Sequence, residues 1–280
     1  MKSAILIISL FPLLFIVTGC QKAKQQTNSK ADTVRPNVKS ITEVRYNFAF
    51  GEVEKEGKKA SYTTFGYDSA GKLSEKLKYL ADGSLDQKTT YQYDPKGNLV
   101  TEREFEHYKD FKDPTFGTYE YNDSGKVTEY TEDWKTTSLH YSYTYDERGH
   151  LSEGVVYESK GKLSRREKYK YDEKGNEIEE LILESNSDGK WLSKYSEDNK
   201  IIEKDWYEAD GSLNSIYTFT YDDSRRLIES VGRESPEGRI YSKETYKYDG
   251  SGNLLERGEF SYSGIGEPTR LDKFLYEYEK

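Results

Sequence analysis

The chain has 280 residues, with 42 Lys and Arg against 51 Asp and Glu and a formal net charge of −9 at pH 7. That acidic balance excludes nucleic acid as a partner, which needs a basic face. Hydrophobic residues make up 34% and charged residues 33%, yet 26 residues are Tyr, which is too poor in aliphatics for an ordinary core and too aromatic for a disordered chain.

Residues 1–19 read as a signal peptide. Lys2 supplies a positive start, and Ala4 to Val17 is an apolar run interrupted only by Ser9 and Pro12. It is too short for a membrane span and has a secretory layout. It ends in Val17-Thr18-Gly19-Cys20, which resembles the lipobox of bacterial lipoproteins. That resemblance implies lipidation of Cys20, which becomes the mature N-terminus and the contact with the membrane. Gln21 in place of Asp at the next position implies outer-membrane sorting in a cell with two membranes. Cys20 is the only cysteine, so no intrachain disulfide can form.

Residues 20–40 are polar, with Lys22, Lys24, Lys30, Arg35 and Lys39 and no apolar period, and read as a flexible tether. From Ile41 the chain alternates through Val44, Tyr46 and Phe48, which predicts an atypical first hairpin capping a domain over 41–280.

A phrase then recurs, cleanest at Tyr169-Lys170-Tyr171-Asp172-Glu173-Lys174-Gly175-Asn176. Counted on the second aromatic, the steps from Tyr67 to Tyr278 are 26, 28, 24, 26, 24, 26, 27 and 30 residues, about nine units. Such a period marks a repeat architecture. Two aromatics at i and i+2 share one side of a strand. Asp94, Asp146, Asp172 and Asp249 open tight turns by bonding backbone ahead of them. Gly97, Gly149, Gly175 and Gly252, three residues on, take the left-handed conformation that starts the next strand. Asn199 is the tolerated exception and Arg225 a departure. An aliphatic follows six residues after the second aromatic, slipping one place to Ile178 in the Tyr171 unit.

Midway through most units lies a second turn, at Asp82-Gly83, Asp188-Gly189 and Asp210-Gly211, more loosely at Lys160-Gly161 and Glu237-Gly238. Asp-Gly between alternating segments predicts a two-residue type I′ hairpin. Leu73, Glu75, Leu77 and Tyr79 are expected to share one face, leaving an aromatic-aliphatic side and a charged side. Tyr rings are the main buried material, with hydroxyls reaching water.

The Tyr-x-Tyr-Asp-x-x-Gly-Asn-Leu phrase resembles the YD repeat of Rhs proteins, teneurins and the cocoon component of Tc toxins. The resemblance covers Phe65 to Tyr278 and implies antiparallel strands spiralling into a hollow, non-catalytic shell. Nine units are fewer than that family uses to close a shell. The expectation is therefore an all-β antiparallel hairpin array forming a long curved or spiralling sheet.

Chemistry is sparse. His107, His140 and His150 lie in different units without metal-ligand spacing, and no nucleophile, zinc or phosphate motif is present. No catalytic residue, metal or cofactor is expected. Trp134, Trp191 and Trp206 can stack on sugars if exposed, or pack as core if not. Two functions stay open: a structural or interaction scaffold with a surface-protein partner, and a glycan-binding module.

Overall fold

The computed structural model describes residues 39–49, 58–107, 112–134, 136–184, 188–235, 238–262 and 270–279. Its strands are β1 (Ser40–Ala49), β2 (Lys58–Tyr67), β3 (Leu73–Leu80), β4 (Leu85–Tyr93), β5 (Leu99–Glu106) and β6 (Thr115–Tyr121). There follow β7 (Val127–Asp133), β8 (Ser138–Tyr145), β9 (Leu151–Glu158), β10 (Lys162–Tyr171), β11 (Glu177–Glu184) and β12 (Gly189–Tyr195). The last are β13 (Ile201–Glu208), β14 (Leu213–Tyr221), β15 (Leu227–Glu234), β16 (Ile240–Tyr248), β17 (Leu254–Ser261) and β18 (Arg270–Glu279).

Each strand pairs antiparallel with its neighbours in sequence. β1 also pairs with β18, from Ser40↔Glu279 to Ala49↔Arg270. The sheet therefore closes into an 18-stranded up-and-down barrel. This corrects the expected open or spiralling sheet. It also changes the role of the first hairpin, because β1 completes the ring instead of capping an array. Closure removes every sheet edge, so no backbone row is left to pair with another chain.

The Asp turns form as read. Asp172 N–H donates to the Asn176 carbonyl at 2.9 Å and Gly175 N–H to the Asp172 carbonyl at 3.1 Å. Asp172 Oδ1 accepts the Asn176 N–H and Oδ2 the Asn176 side-chain amide, both at 2.8 Å. Asp94 and Asp249 repeat this with Asn98 and Asn253, and at Asp146 the His150 ring takes the place of the amide. Gly97, Gly149, Gly175 and Gly252 have φ of +94°, +80°, +86° and +86°. Asn199 (+62°) and Arg225 (+65°) hold the same conformation, so Arg225 departs in sequence only.

The Asp-Gly hairpins are not type I′, which needs positive φ at both central residues. At Asp82-Gly83 only Gly83 is positive, and Leu80 and Ser84 close the turn as in the Asp turns. Asp82 keeps ordinary φ and accepts the Ser84 N–H at 2.9 Å. Lys160 and Gly161 are both positive, so the looser sequence makes the primed turn. Gly189 instead opens β12, opposite Glu208.

A bulge recurs beside the second aromatic of eight units. In the Tyr171 unit, Lys170 pairs with Glu179 but Tyr171 with Glu177, so Ile178 is the extra residue and Glu177 holds the aliphatic's place. In the first unit Tyr67 pairs with Leu73 but Gly66 with Glu75. Since side chains alternate, the extra residue flips the strand, and the expected Leu73–Tyr79 face is split: Leu73 shares a face with Tyr67, Glu75 the opposite one. Burial sets the sense, because Glu167 and Tyr169 are buried while Lys168 and Lys170 on the alternate face are exposed. The buried cluster of Leu99, Tyr119, Val127, Tyr130, Tyr141, Tyr143, Leu151, Val156 and Tyr169 comes from the consecutive strands β5 to β10. It is a band along one wall.

Candidate functional site

A closed barrel has two places for function, its wall facing out and its lumen. Outward, one carboxylate recurs in the strand after seven of the eight turns, the Asp94 turn having Thr101 at that position. Glu75 pairs with Lys88 (2.6 Å), Glu153 with Arg166 (3.1 Å), Glu179 with Lys170 (2.6 Å), Glu229 with Lys243 (2.6 Å) and Glu256 with Lys247 (2.9 Å). Glu203 meets Lys194, and Glu129 lies 3.6 Å from His140. Exposed apolar side chains such as Leu183, Ile202 and Leu255 are interleaved with these ions. A lipid-facing barrel needs an uninterrupted apolar band, whereas this belt of charge suits water.

At the Asp-turn rim the second tyrosine of seven units reaches back to the preceding strand. Tyr93, Tyr121, Tyr145, Tyr171, Tyr195, Tyr221 and Tyr248 donate to the carbonyls of Leu73, Leu99, Val127, Leu151, Glu177, Ile201 and Leu227 at 2.5–2.9 Å. These hydroxyls donate to protein carbonyls, a role the sequence did not indicate. Burial pushes the Tyr93 and Tyr145 phenols from 10.0 up to about 12, with the Asp68 charge adding to the shift at Tyr93. The residue after each turn glycine has two uses. As Asn it caps its own Asp. As a basic residue it stacks over the next unit's ring: Lys72 on Tyr93 (5.1 Å), Lys126 on Tyr145 (5.3 Å), Arg226 on Tyr248 (4.9 Å) and His150 on Tyr171 (4.6 Å).

Deeper in the lumen the wall is aromatic and ionic. Arg165 pairs with Glu167 at 2.5 Å, and Tyr169 donates to the same carboxylate. Arg257 pairs with Glu259 at 2.6 Å and lies 4.2 Å over the Phe274 ring. The sequence gives no warning of these inward charges, because the bulge decides which half of each alternating run turns inward.

Of the tryptophans, Trp191 and Trp206 are cross-strand partners on β12 and β13, with ring centroids 5.1 Å apart. Register places them beside the inward residues Glu180 and Ser215. Trp191 meets Tyr217 edge-on at 5.7 Å, and Tyr217 meets Tyr241 at 5.8 Å. Trp134 is elsewhere, exposed where β7 turns into β8. Symmetry about the decayed Tyr195 turn was the signal that could have paired the two indoles. His107 follows β5, while His140 bonds Thr131 at 3.0 Å. Among the described residues no group of three or more His, Cys, Asp or Glu is placed to hold a metal. Cys20 lies outside the described residues.

A family model described as "Uncharacterised protein" matches residues 129–263. No curated protein matches. Among solved structures, a porin-like protein from Bacteroides uniformis is 13% identical over 87% of this chain and 98% of its own, with a TM-score of 0.50. That likeness speaks for the antiparallel barrel fold alone. A porin-like protein from Bacteroides vulgatus is 11% identical over 86% of this chain and 98% of its own, at TM-score 0.37. The toxin assembly TcdB2-TccC3-TEV is 14% identical over 85% of this chain and 13% of its own, at TM-score 0.31. These two scores support no argument.

Proposed function

We propose that the chain is a non-catalytic lipoprotein of the outer membrane, held by lipid on Cys20, whose barrel of YD-like repeats stands in water as a binding scaffold. The observation that supports this is the outward belt of ion-paired carboxylates. A bilayer would have to strip water from seven acidic side chains and their partners, and at the midplane of a barrel's lipid face each Lys or Arg costs about 2–4 kcal/mol and each Asp or Glu less. A water-immersed barrel needs a separate anchor, and the lipobox-like Val17-Thr18-Gly19-Cys20 supplies one.

The tether also sets orientation. The Lys39 carbonyl accepts the Tyr67 N–H at 3.1 Å, so the chain enters at the Asp-turn rim, which then faces the membrane. Cys20 precedes Lys39 by 19 residues (39 − 20), and a flexible chain of that length spans about 25 Å.

The test is fractionation of cells expressing wild type and Cys20→Ser. Wild type should take up labelled palmitate and sediment with membranes, while the variant should be folded and soluble. A folded variant that resists carbonate extraction would show that the barrel itself is inserted, and would end this reading.

A further inference from the structure

The two halves of the barrel differ inside. Along β5 to β10 the deeper inward rings of Tyr119, Tyr130, Tyr141, Tyr143 and Tyr169 are buried against one another, while Tyr121, Tyr145 and Tyr171 at the rim are half-buried. Along β12 to β16 the inward rings of Trp191, Trp206, Tyr217 and Tyr241 are only half-buried, although they point away from outside solvent. Water therefore reaches them through the lumen, as expected when 18 strands enclose more space than side chains can fill.

Two glycines make room for this wall. A Cβ on Gly189 would lie inside contact distance of the Trp206 ring and 2.6 Å from the Tyr207 carbonyl. A Cβ on Gly232 would lie 2.9 Å from both the Tyr217 and Tyr241 rings. Polar groups frame the wall. Lys204 Nζ holds Glu180 Oε2 at 3.1 Å and stands 5.0 Å from the Trp191 ring centroid. Trp206 Nε1 donates to Glu208 Oε1 at 3.1 Å.

We propose that this lumenal wall is a binding site for a neutral oligosaccharide. Rings set 5.1, 5.7 and 5.8 Å apart in succession, inclined to one another at 49°, 60° and 89°, give the wall a run of aromatic faces and edges. The C–H faces of pyranoses pack on them, while Lys204, Glu180 and Glu208 meet hydroxyls at the edges. Lys204 already fills the cation position over Trp191, and its pairing with Glu180 cancels the charge of both. The proposal rests on the barrel being filled with water, but not on how the chain is anchored.

The test uses the full-length protein in mild detergent, with Trp134→Phe leaving the two lumenal indoles as the fluorescent reporters. Cellopentaose, chitopentaose and maltopentaose are titrated while acrylamide quenching is followed. At least one should shield the indoles, and Trp191→Ala should weaken its binding about tenfold or more. If Trp191→Ala fails to fold by circular dichroism, Trp191→Phe, which keeps most of the packing, should fold and still weaken binding. Shielding by none of the three, shielding by spermine instead, or saccharide binding unchanged in a folded Trp191 variant would each overturn the site.

Discussion

At Arg225 the backbone holds φ of +65°, the conformation that glycine supplies in most other Asp turns. A non-glycine residue there costs about 1–2 kcal/mol. Arg225 recovers part of this through its guanidinium, which donates to the Asp198 carbonyl at 2.7 Å and pairs with the Asp198 carboxylate at 3.0 Å. That pair is solvent-exposed and worth little. Arg225→Gly should therefore raise stability, by up to about 1 kcal/mol, and chemical denaturation would read it. A lower midpoint would mean that the staple to the neighbouring turn outweighs the strain. The Asp and Gly of this turn chemistry were fully legible in the sequence, because each acts within five residues. The Tyr hydroxyls were not, because their acceptors lie 18 to 22 residues back.

At the scale of strands, the bulge beside the second aromatic decides which side chains meet. The strands, their alternation and the repeat were readable. The face each strand turns inward was not, since one extra residue inverts it and leaves no mark in composition. Glu75 was read as sharing a face with Leu73, and the bulge sends it outward instead. The inward-turned second tyrosine then links each unit to the one before it. Tyr145→Phe removes the donor to the Val127 carbonyl and should cost about 1–2 kcal/mol. The same change at Tyr157, on the outward face opposite His140, should be nearly neutral. Equal effects at the two positions would deny the inward hydroxyls their role in joining units.

For the whole molecule, tyrosines shape the response to alkali. An unfolded tyrosine loses its proton at 10.0, whereas Tyr93 and Tyr145 in the barrel hold theirs to about 12. The native state then binds more protons than the unfolded state between those values. Stability from these groups is complete below 10 and drains away as pH rises through 12. Tyrosinate absorbance should lag behind that of free tyrosine and then rise together with loss of the sheet signal. A smooth titration at 10 with the fold intact would contradict the burial described.

Closure is the feature that local pattern could not announce, because it depends on two strands about 230 residues apart finding one register. The lumen, the outward belt and the lumenal site all depend on it. Val44 on β1 stands opposite Leu275 on β18. Directly opposed residues on antiparallel strands have Cα atoms about 4.5–5.5 Å apart, within the range a disulfide spans. The decisive measurement is cross-linking of a Val44→Cys/Leu275→Cys variant under mild oxidation, read by mass spectrometry of the digested monomer. A closed barrel gives the 44–275 intramolecular disulfide in high yield and an unchanged sheet signal. An open or spiralling sheet leaves both thiols free, or links them only between molecules.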